Sequence, residues 1–147
     1  MKTLFTLILL LVFTTPVLSD DTLRIEFGGF SYHIPTASQG VTNESHNILA
    51  ADWRGYSVGK FDNSYGKETW FVAKTWRSPD VFGVKDLDAI GSLGVNRGYT
   101  ECYGNNGDSA KFCPHGYVGF DYSVGRVYIS VKTQVVVTLV NFGIKIF

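Results

Sequence analysis

Along most of this chain apolar and polar residues alternate with a period of two, the pattern of strands that present one apolar and one polar face. Over 22–28, Leu23, Ile25 and Phe27 alternate with Arg24, Glu26 and Gly28. Gly28-Gly29 then shifts the phase, as at a β-bulge, so Phe30 and Tyr32 become the large residues of a continuation that ends at His33. The stretch 34–47 is rich in turn and cap residues, has no sustained period, and reads as a long loop. A second strand is expected at 48–54, with Leu49, Ala51 and Trp53 opposite Asp52 and Arg54, and Gly55 permits a tight reversal after it. Residues 56–76 read as two antiparallel strands joined at the polar tip Asn63-Ser64-Tyr65-Gly66-Lys67, because turn formers cluster between runs of β-branched and aromatic residues. Pro79 is expected to break the ladder after Trp76, since proline has no donor for it, and 81–87 carries no clear pattern. Further strands are expected at 88–96, 115–122, 126–132 and 136–147.

These are eight strands with no convincing helix. Alternation alone does not say which face points outward, because a soluble sandwich or a lipocalin-like barrel alternates too. Three features favour the membrane form. Short turns (Gly55; Ser123-Val124-Gly125) alternate with long connections (34–47; 97–114), the strand number is even, and the last strand ends on the aromatic Phe147. Only a closed barrel satisfies every strand edge in lipid. The expected fold is therefore all-β, an eight-stranded antiparallel up-and-down transmembrane β-barrel, with a soluble secreted barrel as the alternative.

The N-terminus fits an exported chain. Residues 1–19 combine a short basic start at Lys2, an apolar run over 4–13 and a small residue, Ser19, at the expected cleavage point, and that run is too short to span a bilayer as a helix. Residues 20–147 then form a single domain, expected in a bacterial-type outer membrane. Without Lys2 the chain has twelve basic and thirteen acidic side chains, which excludes the strong positive field of a nucleic-acid binder. In an oxidising compartment Cys102 and Cys113 are expected to form a disulfide, since two thiols and the nearby His115 fall short of a metal site.

The chemistry-bearing stretch is the hairpin tip, which holds an amide, a hydroxyl, a phenol and an ammonium within five residues. Asn, Ser and Gly are also what any turn uses. Counting strands moves the balance: if both termini lie at one end of the barrel, His33 and the tip share the opposite rim. His46 reads as an exposed loop residue and His115 as a strand-end residue. Asp52, Arg54 and Lys74 read as lumen-facing or rim charges.

Through Tyr32-His33, Thr42-Asn43-Glu44, Ala51-Asp52-Trp53-Arg54 and the hairpin 55–76, the chain resembles the lipid A palmitoyltransferase (PagP-type) family of small outer-membrane barrels. The resemblance continues more faintly through the last three strands. It implies acyl transfer from a phospholipid to lipid A, a membrane-embedded monomer, and no cofactor or metal. The family's essential trio is a His at the outer end of the first strand and an Asp-Ser pair in the second outer loop. Here His33 and Ser64 match, whereas the middle position is Asn63, with Asp62 beside it. The resemblance makes His33 the base and Ser64 or the amide of Asn63 a donor to the oxyanion. Asn63 cannot stabilise an imidazolium as a carboxylate would, which leaves that part to Asp62 or Glu44. The family's N-terminal amphipathic helix has no counterpart. The reading from a different class is a non-catalytic surface barrel that uses its outer loops for adhesion, masking or receptor blocking.

Overall fold

In the computed structural model, which describes residues 21–34, 40–100, 102, 111–134 and 137–147, eight antiparallel strands form a closed barrel in sequence order. The export signal expected at 1–19, and parts of the loops expected at 34–47, at 97–114 and between the strands expected at 126–132 and 136–147, lie outside the described residues. The strands are β1 (Leu23–His33), β2 (Leu49–Trp53), β3 (Tyr56–Asp62), β4 (Glu68–Ser78), β5 (Leu87–Tyr99), β6 (Lys111–Val124), β7 (Val127–Gln134) and β8 (Val137–Lys145). Each pairs with its sequence neighbour, and β8 closes on β1, from Arg24 opposite Lys145 to His33 opposite Val137. The connections after β2, β4 and β6 define a turn end; those after β1, β3, β5 and β7 define a loop end. At the turn end, Arg54 and Gly55 both have positive φ, as a tight two-residue hairpin turn requires.

Which way the alternation faces is decided by closure. Arg24 and Glu26 of β1, Asp52 of β2, Asp121 of β6, Ser130 and Lys132 of β7 and Asn141 of β8 are buried in the lumen. Phe27, Trp53, Val72, Phe120, Ile129 and Phe142 lie on the exposed outer wall. Charged and polar side chains thus line much of the lumen while large apolar ones cover the outer wall.

The polar lumen is organised by charge pairing. Lys132 Nζ lies 2.5 Å from Glu26 Oε2, which also accepts a bond from Asn141 Nδ2 at 3.2 Å. Arg77 donates to Asp52 at 2.9 Å and faces Asp121 at 3.6 Å. Asp52 also accepts from Ser57 at 2.5 Å, and Ser130 donates to Asp121. Burial of charge is tolerable only with such partners. Nearer the loop end the lining becomes apolar: Ile48, Ala50, Phe71 and Ala73 form a cluster with Phe61 and Leu139 against it.

Several expected boundaries move outward. β4 runs on to Ser78 rather than stopping at Trp76, because Pro79 follows the last pair, Ser78 with Ala89, and its missing donor interrupts nothing. The segment 81–87, unassigned by pattern, contains a short 3-10 turn at Val81–Gly83. β5 and β6 extend into the stretch expected as a loop over 97–114. A bulge between Arg97 and Tyr99 absorbs Gly98. Pro114 sits where β6 has no β7 partner: β6–β7 pairing begins only at Val118 opposite Thr133, so 111–117 of β6 is unpaired on that side among the described residues. The disulfide joins Cys102 to Cys113, as expected.

Candidate functional site

The bulge in β1 builds one half of the site. Glu26 points into the lumen, and without an extra residue the next inward positions would be 28, 30 and 32. The register shift between Phe27 and Phe30 reverses the parity, so Gly29, Ser31 and His33 face inward while Phe30 and Tyr32 face out. Gly28 (φ 66°) and Gly29 (φ 147°) supply the backbone that side chains rarely adopt. The first loop folds back over this bulge. The N–H of His46 donates to Gly29 O at 2.8 Å, and the N–H of Ser31 donates to Glu44 O at 2.8 Å.

The hairpin tip supplies the other half. Asn63 is fully buried and organises the turn. Its Oδ1 accepts from the N–H groups of Tyr65 (2.9 Å) and Lys67 (3.1 Å), while its Nδ2 donates to Thr69 Oγ1 (3.0 Å) and Gly98 O (3.4 Å). Ser64 follows, and its carbonyl accepts from Thr42 N (2.9 Å) and Asn43 N (3.1 Å) of the first loop. Asn43 Nδ2 donates to Asn63 O at 3.1 Å.

These supports bring together two of the four residues singled out in the sequence: His33 Nε2 and Ser64 Oγ are 2.9 Å apart. The carboxamide of Asn63 is engaged by the turn, Thr69 and β5. The Asp62 carboxylate accepts from Asn47 Nδ2 at 2.6 Å. Among the described residues His33 Nδ1 is buried without a hydrogen-bond partner, so none of their carboxylates is bonded to the ring there.

Two histidines sit elsewhere than expected. His46 is buried, not exposed: its Nδ1 donates to the carbonyl of Asp62, and its Nε2 lies 2.7 Å from Ser31 Oγ. His115 lies inside the extended β6 and is buried against Phe71, with ring centroids 4.9 Å apart. Asp52 faces the lumen, as expected. Arg54 is at the turn end, 2.7 Å from Asp21, and Lys74 lies over the ring of Tyr56 with its nitrogen 4.0 Å from the centroid.

Below the His33–Ser64 pair lies a cavity of about 80 Å³. Ser31, His46 and Ser64 line it toward the loop end; Ile48, Ala50, Phe61, Phe71 and Leu139 form apolar walls; Glu26, Asp52 and Lys132 lie deeper. A groove in the wall beside the unpaired part of β6 shares Tyr117 and Gln134 with this cavity. No group of three or more His, Cys, Asp or Glu side chains is arranged to hold a metal among the described residues.

Ser31 escaped the sequence reading, and His46 was read there as an exposed loop residue rather than as part of the site. Ser31 was accessible in principle, since it lies two residues before His33 on the same face once the bulge is counted. His46 carries no such signal, because its loop has no period.

No family model and no curated protein matches this chain. What the sequence and geometry define is an eight-stranded antiparallel closed barrel with a charged lumen, an apolar outer wall and a histidine–serine pair over a cavity.

Proposed function

We propose that this barrel is embedded in an outer membrane and transfers an acyl group from a phospholipid to lipid A at its loop end, the activity that its resemblance to the lipid A palmitoyltransferase family implies. One observation carries the reading: Ser64, whose hydroxyl lies 2.9 Å from His33 Nε2, lines a cavity with apolar walls rather than a lumen packed with charge throughout. Acyl transfer needs an apolar place for the chain and, beside it, a base and a hydroxyl or amide donor at the reacting carbonyl. The exposed aromatic and aliphatic outer wall supports burial in lipid, and so does closure of β8 on β1, because a closed ladder leaves few strand edges unpaired. The wall groove at β6 supports sideways access for a chain that arrives from the bilayer. A volume of about 80 Å³ is small against the roughly 300–1,000 Å³ of ordinary ligand pockets, which favours a short acyl group or the leading end of a longer one.

The test is mass spectrometry of lipid A from cells that express the chain or its His33→Ala variant. Wild type is expected to add one acyl chain, and His33→Ala to lose most of that product. Unaltered lipid A with a folded wild-type barrel would overturn acyl transfer. A mature chain that stays soluble without detergent would overturn membrane embedding.

The non-catalytic surface barrel has its own supporting observation. Asn63 serves the turn and His33 Nδ1 has no hydrogen-bond partner among the described residues, so the trio implied by the resemblance is incomplete there. On that reading lipid A is unchanged while the loop end still binds a partner.

A further inference from the structure

A second histidine–serine pair lines the same cavity, and its histidine is bonded through both ring nitrogens. Ser31 Oγ lies 2.7 Å from His46 Nε2, and His46 Nδ1 faces the carbonyl oxygen of Asp62. A carbonyl oxygen only accepts, so Nδ1 carries the ring proton. In the neutral imidazole Nε2 then presents its lone pair to the Ser31 hydroxyl. A hydroxyl, a base in reach of it, and a third group that fixes the base form the arrangement of an activated nucleophile. Backbone bonds hold both partners: Ser31 N–H to Glu44 O and His46 N–H to Gly29 O, each 2.8 Å. The ring of His46 also meets Phe61 edge-on, with centroids 6.5 Å apart. His33, by contrast, has no hydrogen-bond partner at Nδ1 among the described residues to choose its tautomer.

We infer that Ser31 is the acyl-accepting nucleophile of this cavity and His46 its general base, so that transfer proceeds through an ester on Ser31. The inference rests on the acyl-transfer reading above and specifies its chemistry. The substrate class is a carboxylic ester whose acyl group is short or enters by its end. In the first half-reaction Ser31 Oγ attacks the ester carbonyl carbon and its proton passes to His46 Nε2. The bond from that carbon to the donor's alcohol oxygen breaks, and this oxygen takes the proton from His46. In the second half the acceptor hydroxyl gives its proton to His46 and attacks the Ser31 ester; Ser31 Oγ leaves and takes the proton back. No oxidant, metal or cofactor is consumed. His33 and Ser64 then orient the acceptor at the rim.

The experiment treats the mature full chain, folded in detergent micelles, with an alkyl fluorophosphonate and maps the adduct by peptide mass spectrometry. The wild-type adduct is expected on Ser31, which requires no variant to fold. Labelling of His46→Gln is expected to be about 10²-fold slower or more, whereas Arg54→Gln, at the turn end and outside the cavity, labels on Ser31 at close to the wild-type rate. An adduct on Ser64, or none in a chain that does acylate lipid A, would overturn the Ser31 intermediate and leave the transfer reading intact. Neither adduct nor lipid product would overturn both. An adduct on Ser31 without a lipid product would keep the nucleophile and remove the lipid acceptor.

Discussion

Lys132→Met is the sharpest probe of how this barrel is held together. The ammonium and the Glu26 carboxylate lie 2.5 Å apart, with side chains only 4% and 10% exposed. At an effective dielectric near 20, two unit charges at this separation attract by roughly 6–7 kcal/mol, most of which the cost of removing both from water offsets. Removing one partner loses the attraction and keeps the cost of the other. Glu26 would keep the hydrogen bond from Asn141, at 3.2 Å, without the ammonium that balances its charge. The expected loss is therefore about 3–5 kcal/mol. Adding Glu26→Gln to Lys132→Met removes the stranded charge and retains an acceptor for Asn141, so the double variant should recover more than half of that loss. Guanidinium titrations in detergent micelles, followed by tryptophan fluorescence, measure both changes. A single variant within 1 kcal/mol of wild type, or a double variant no more stable than the single, would refute the reasoning.

Two further perturbations test the supports of the site. Asn63→Ala strips the turn of its side-chain acceptor and should cost about 2–3 kcal/mol, because the N–H groups of Tyr65 and Lys67 lose their partner; Asp62→Asn, at a partly exposed position, should stay within about 0.5 kcal/mol. Equal losses in the denaturant midpoint for the two variants would contradict the role given to Asn63. Gly29→Ala places a side chain at φ 147° with its Cβ 2.7 Å from Ile48 Cδ1, for an expected loss of about 1–3 kcal/mol by the same titration. Unchanged stability there would show that the bulge does not depend on glycine.

Much of the architecture was legible along the chain because strand alternation is a local property. The hairpin strands, observed at Tyr56–Asp62 and Glu68–Ser78, meet at the predicted tip, and the phase shift at Gly28-Gly29 is a real bulge. Less legible were strand ends that defy local chemistry. Gly98 and Pro114 read as loop residues, yet each lies in a strand, Gly98 at a bulge and Pro114 where β6 has no neighbour on one side among the described residues. Of the site, the joining of His33 to Ser64 followed from counting strands. The fate of Asn63 did not: its carboxamide satisfies the turn and reaches Gly98 on a strand more than thirty residues away.

The sequence by itself determined the number and order of the strands, the disulfide partners and the residues of the tip, because period, turn chemistry and cysteine context act over a few residues. Only the tertiary structure decided that the polar faces point inward, since the same alternation serves either hand until the sheet closes and Glu26 meets Lys132 across the lumen. Tertiary structure alone also brought His46 from an aperiodic loop onto Ser31 and the Asp62 carbonyl. That placement depends on backbone bonds between the first loop and the bulge, and no residue pattern in either segment encodes them separately.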